Sequence, residues 1–317
     1  MIKPDDKPPL SPIEPGQLPV VEAPEAIWHS ILKSLNEDRA PARRAFHWWQ
    51  LAAALSVAVG AIGLWVFTRP KPPSWEVVRL DGSPAVGSRH VTDAAGRIAV
   101  GEWLQTDATS RARIGIGDIG SVEVAPNSRV RLLAAKPNEN RLALVRGEIS
   151  ATVTAPPRLF FVDTPASTAV DLGCAYTMKT DEAGSGLLMV SAGWVSLEWK
   201  GRESLVPAGA MCRTRPSAGP GTPYFGDAAE ALRQALAAFD FEKGGSDALH
   251  TVLDQSRVRD TLTLWHLLSR VDPAERLRVF DRMVALTPLA QGVAREKVLE
   301  LDKDTLNRWR EELAWKW

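Results

Sequence analysis

The chain has 317 residues, enough for two compact domains with extensions. Its 38 basic and 38 acidic residues cancel, so nothing global directs it to nucleic acid or to an acidic ligand, and no direct nucleic-acid contact is expected. The two cysteines, Cys174 and Cys212, form no CxxC and have no histidine nearby in sequence, which argues against a zinc site; no metal or cofactor is expected.

Residues 1–23 are rich in proline and acidic groups, a composition with too little apolar surface to order itself. Helical spacing begins in PEAIWHSILKSLNEDRA, where Ile27, Trp28, Ile31, Leu32 and Leu35 form one apolar stripe and Pro24 suits a helix start. A short isolated helix is marginal in water, so this stripe needs something to lie against. Two readings stand equal: a helix resting on a membrane surface or on this chain, and a docking helix for a partner. SILK in the same stretch is an S-x-x-K match with no serine-hydrolase surroundings, and it is dismissed.

WWQLAAALSVAVGAIGLWVF, residues 48–67, carries no charge over twenty residues. As a helix it would be about 30 Å long, the thickness of bilayer hydrocarbon. Trp48 and Trp49 mark one end and Trp65 the other, as interfacial tryptophans do. Forty-seven residues precede the run and no small-x-small cleavage site follows it, so a single membrane anchor is expected rather than a signal peptide. Lys33, Arg39, Arg43 and Arg44 flank it on one side against Arg69, Lys71 and Arg79 on the other, which favours a cytoplasmic N-terminus. About 250 residues would then face outward, where Cys174 and Cys212 could form a disulfide.

After the stiff spacer PKPP, residues 75–215 read as short alternating runs such as SVEVAP, SRVRLL and RLFFVDT, with turn signals every eight to twelve residues or so. That pattern predicts an all-β sandwich, barrel or solenoid. GIGDIG at 115–120 spells G-x-G-x-x-G, but SVEVAP follows it where a phosphate-binding loop needs a helix. RPSAGPGTP, 215–223, reads as a linker. Residues 227–317 change to helical period, with five candidate helices forming a bundle or stacked hairpins. Leu262, Trp265 and Leu268 are expected in its core, and His266 beside them as a satisfied core or edge histidine. The five histidines lie in no HExxH, and G-x-S-x-G and P-loop motifs are absent, so no enzyme is expected. The fold class is multidomain: an N-terminal segment (1–47), a transmembrane helix (48–67), a β domain (75–215) and an all-α domain (227–317).

The order of motifs in the β region resembles the extracytoplasmic domain of FecR-like proteins, membrane-anchored anti-sigma regulators. Leu104 and Thr106, then Ser110, Ala112 and Ile114, stand for its first strands, and Asp118, Gly120 and Ser121 for its Asp-Gly-Ser turn with Ile119 extra. Pro126 and Ser128, Gly147 and Glu148, Phe161 and Thr164, Gly173, and finally Gly193 and Val195 follow in the family's order. GIGDIG is thereby identified with a hairpin turn. Cys174 and Tyr176 replace the usual Thr and Phe. The N-terminal segment is shorter than in the iron-uptake members, and helices stand where those carry a receptor-docking domain, so their iron signal does not carry over. The resemblance implies a single-pass regulator whose inner helix, through Trp28, Ile31, Leu32 and Leu35, holds a sigma factor of the extracytoplasmic-function type. Its outer part would answer an unidentified protein or envelope ligand. The alternative is an anchored outer scaffold that binds a cell-envelope protein or glycan and has no sigma-factor partner.

Overall fold

The computed structural model describes residues 25–37, 73–92 and 95–317. The tail 1–23, the apolar segment 48–67 and most of the PKPP spacer lie outside them. Among the described residues no helix is long and apolar enough to cross a membrane. The chain divides into two compact units, 1–70 and 71–317. In the first, helix α1 runs Glu25–Glu37. The second holds eighteen described strands followed by six helices.

The strands form two sheets over one apolar core. Alternation does this directly: in Arg129–Lys136, Val130, Leu132 and Ala134 are buried while Arg129 and Arg131 stay half-exposed. One sheet contributes Val77, Ile114, Val122 and Ile149 to the core, and the other Leu104, Leu132, Leu144, Val162 and Leu197. Each such side chain contributes about 1.5–3 kcal/mol when fully buried.

The strand Glu139–Val153 serves both sheets. Its first half pairs antiparallel with Arg129–Lys136 and parallel with Phe160–Asp163. Its second half pairs with Gly120–Val124 and Ala175–Thr180. A parallel neighbour ordinarily needs a crossover of a dozen residues or more, yet only residues 154–159 join this strand to its parallel partner. Phe160 pairs with Asn140, and a straight strand would hold Asn140 about 43 Å from Val153. Seven residue steps reach at most about 25 Å. The strand therefore has to bend sharply. It does so at Val145–Gly147, where a bulge leaves Val145 outside the pairing and Gly147 takes φ +93°. A Cβ on Gly147 would overlap Ser128.

RPSAGPGTP is not a linker. Gly219 to Pro223 are buried, and Gly219–Pro220 pairs with Thr214 and Arg215. The glycines are there for close approach: the Trp199 ring lies on Gly219, and Asp240 and Phe241 lie on Gly221. Six helices follow: α2 (Glu230–Phe241), α3 (Gly245–Gln255), α4 (Thr261–Leu268), α5 (Pro273–Leu286), α6 (Arg295–Leu299) and α7 (Lys303–Ala314). Five match the expected runs, with Pro273 in the first turn of α5 and Asp302 capping α7 through Thr305 N–H at 3.0 Å. The sixth, α6, is a five-residue turn too short to show a period. Helix α4 joins the two parts, since Leu262 enters the β core while Leu264, Leu267 and Leu268 enter the helical core around Trp309.

The corner yields a matched prediction. Gly101 has the same φ of +93° but open space around it. Gly101→Ala should cost only the left-handed backbone penalty, roughly 1–2 kcal/mol. Gly147→Ala adds the overlap with Ser128 and should cost clearly more, about 3 kcal/mol or above. Chemical denaturation of both variants reads the difference, and equal losses would show that the corner tolerates a Cβ.

Candidate functional site

The residues that carry the family pattern turn out to build the corner. Thr106 Oγ1 donates to Ala125 O at 2.7 Å and accepts from Ser128 N–H at 2.9 Å. Ser128 Oγ accepts from Glu148 N–H at 2.9 Å, fastening the loop to the bent strand just past Gly147. Ser110 Oγ accepts from Ser83 N–H at 2.8 Å, and Thr164 holds the next turn by donating to Ser167 O at 2.9 Å. GIGDIG is a hairpin turn: Arg111–Gly115 pairs antiparallel with Gly120–Val124, and a short 3₁₀ turn covers Gly117–Ile119. A Cβ at Gly120 would overlap Thr152 O of the bent strand, so this glycine is needed for close approach.

The cysteines are free and buried. Strand register keeps them apart, because Cys212 pairs with Leu188 whereas Ala175, next to Cys174, pairs with Ala192 of the same strand. About 13 Å of strand separates those positions, well beyond disulfide reach. Cys174 Sγ donates to Asp171 and Cys212 Sγ to Gly221 O. Burial pushes the Cys212 thiol up to about 12 and Cys174 higher still, so neither is a ready nucleophile.

The helices close the open edge of one sheet, the strand Arg202–Pro207. His266 Nε2 accepts from Leu205 N–H at 3.0 Å while Nδ1 donates to Leu262 O at 2.9 Å. The imidazole is thus neutral, both nitrogens are used, and burial holds its pKa at about 3. Arg270 donates to Glu203 O at 3.1 Å, to Ser204 Oγ at 2.7 Å and to Thr222 Oγ1 at 2.9 Å. Asp240 lies 3.8 Å from Arg270 and accepts from Thr222 N–H and Oγ1 at 2.6 and 2.9 Å. Burial raises the Asp240 pKa and lowers that of Arg270; their attraction opposes both shifts, and the Thr222 hydrogen bonds oppose the first. His266 is thus the satisfied histidine its place among leucines implied, but nothing in the sequence announced its partners or the Arg270–Asp240 pair, which come from four separate segments.

The outer face of the same sheet is cationic and aromatic. Trp103 lies under Arg129 at 4.1 Å and Arg131 at 5.3 Å, and Phe161 under Arg141 at 4.5 Å. A depression of about 720 Å³ opens there, walled by Arg141, Arg158, Phe161, Trp199 and Lys200. Arg141 is paired with Asp163 at 2.8 Å and Arg158 with Glu198 at 3.0 Å. The alternation of Arg129 and Arg131 in SRVRLL was the one sequence signal for this face.

In the first unit, α1 contains Trp28, Ile31, Leu32 and Leu35. Leu32 is 59% exposed. The side chains of the other three lie outside the described residues, so the expected stripe is carried here by helical spacing alone.

Residues 102–196 match the model of the family described as FecR protein. The β part thus carries a FecR domain, as its motif order implied. The sheets extend past the match on both sides: Ser74–Asp81 pairs with Arg111–Gly115, and Ala210–Arg215 with Gly186–Ala192. No curated protein matches the chain. Two crystal structures of a candidate anti-sigma factor from Parabacteroides distasonis are similar to it, each at 15% identity and a TM-score of 0.35. They cover 42% of this chain, which in turn spans 63% and 62% of theirs, less than two thirds of their length.

His266 carries a pH prediction. Its folded pKa of about 3 lies below the unfolded value of about 6.5. Below that higher value only the unfolded chain takes the proton, so this contribution is full above pH 6.5 and is lost as pH falls toward 3. Between pH 7 and 5 the loss should be about 2 kcal/mol. His266→Gln should flatten the stability profile over that interval in denaturation measurements, and an unchanged slope would contradict it.

Proposed function

We propose that this chain is a single-pass, non-catalytic regulator of the anti-sigma type in a bacterial inner membrane. The observation that carries the reading is the order of its parts: a helix with an apolar stripe, an uncharged twenty-residue segment, and a FecR domain. The N-terminal helix lies in the cytoplasm, and the compact unit 71–317 faces outward. A sigma factor of the extracytoplasmic-function type docks on Trp28, Ile31, Leu32 and Leu35, which hides its polymerase-binding surface until an outer ligand alters the complex. The exposed Leu32, and the need of so short an isolated helix for a surface to pack against, support a partner there.

Orientation is testable first. Protease added to spheroplasts should degrade residues 71–317 and leave 1–47 protected. The reverse pattern removes both the topology and the sigma-factor role.

Docking is tested by Trp28→Ala combined with Ile31→Ala. Loss of a buried aromatic anchor typically costs about 2 kcal/mol or more, roughly thirtyfold in affinity. The double variant should release the sigma factor and raise transcription from its promoters while membrane insertion and protein level stay constant. Continued repression, or no sigma factor co-purifying with the full chain, leaves the anchored scaffold as the reading.

A further inference from the structure

A second depression, of about 510 Å³, lies between the strand edge and the helices, within the size range of small-ligand sites. Lys200, Arg202, Arg270 and Arg310 line it, against the single carboxylate of Glu203. Arg270 is neutralised by Asp240 and held by three further hydrogen bonds. Lys200, Arg202 and Arg310 have no ion pair among the described residues. Arg129 and Arg131 on the sheet face are likewise without one, but in this cleft three such cations line one depression, with Lys200 4.4 Å from the Trp199 ring.

Lys200 and Arg202 lie at one turn, and the fold brings Arg310 to them from more than a hundred residues away. Lys200 and Gly201 form the two-residue turn between Trp194–Trp199 and Arg202–Pro207, with φ of +46° and +80° and Trp199 opposite Arg202. A tight turn with both angles positive fixes where Lys200 and Arg202 leave the sheet. Arg310 arrives from α7 and lies 5.9 Å from the ring of Trp265, the aromatic wall of the cleft. Glu311, next to Arg310, lines the neighbouring cavity. His266, also in the wall, has both nitrogens occupied and is held neutral by burial, so it supplies no compensating charge.

Converging like charges repel, and a half-enclosed cleft screens them less than open solvent does. An anion relieves that repulsion and gains charge-assisted hydrogen bonds from guanidinium groups suited to two-oxygen acceptors. We propose that this cleft binds a compact, multiply charged anion through phosphate or carboxylate oxygens, with Arg202 and Arg310 as its principal donors and Lys200 at the rim. Because the cleft is walled by both the sheet edge and the helices, an occupant would tie the two parts together. The inference does not rest on the regulator reading, since it concerns binding by the chain alone.

Calorimetric titration of the full chain in detergent, at low ionic strength, tests it with pyrophosphate and succinate as separate probes. At least one should bind saturably with one site per chain; the one that binds tells a phosphate from a carboxylate ligand. Arg202→Gln with Arg310→Gln should weaken binding at least about tenfold, with an unchanged melting temperature, whereas Arg131→Gln, on the sheet face outside the cleft, should leave it intact. If the double variant melts early, Lys200→Gln at the exposed turn replaces it and should weaken binding severalfold. Absence of saturable binding by both probes, or equal binding by wild type and the cleft variant, overturns the proposal.

Discussion

The β part depends on one bent strand. Because only residues 154–159 separate Val153 from Phe160, the chain can pair Phe160 with Asn140 only if Glu139–Val153 bends sharply. The bend makes one strand the common member of two sheets and brings their apolar faces over a single core. Gly147 supplies the backbone conformation, and Ser128 and Thr106 hold the crossing loop against it. The family pattern is legible in these terms: its Leu-x-Thr, Pro-x-Ser and Gly-Glu elements are three sides of one corner. They are scaffold, and they leave the outward surface free to differ.

A sheet built this way still has an open edge, and unpaired strand groups invite association with other chains. Here the helices cover it. His266 takes the Leu205 N–H, and Arg270 takes the Glu203 carbonyl. The second contact places a buried cation, and Asp240 answers it. A buried pair of this kind adds little net stability, since desolvation offsets the attraction, but removing one partner would strand the other. It therefore acts chiefly to set how the helices sit on the sheet, and Trp317 seals the same junction, donating to Thr261 and packing near Trp194 and Trp265. The residues 71–317 consequently form one compact unit.

The FecR match stops at residue 196, within the strand Trp194–Trp199, while the cleft and the helical cover lie just beyond it. The strand edge that the helices cover therefore lies outside the matched segment.

Local physics was enough for much of the architecture. Period-two alternation in SRVRLL and RARIG, helical period after Asp227, Pro273 and Asp302 at helix starts, and the absence of a helix after GIGDIG are all properties of adjacent residues, and they place strands, helices and turns correctly. Composition misled where glycine meant proximity instead of flexibility: RPSAGPGTP looks like a linker, but its glycines sit under Trp199, Asp240 and Phe241. The short helix Arg295–Leu299 has too few residues for a period to appear. Whether Cys174 could meet Cys212 depended on strand register, and the pairing of Asp240 with Arg270 and the approach of Arg310 to the turn at Lys200 and Arg202 depended on which segments pack together. Those are relations between residues tens of positions apart, and only the closed structure decides them, because charge and hydrogen-bond chemistry act through space while sequence patterns record only what neighbours along the chain require.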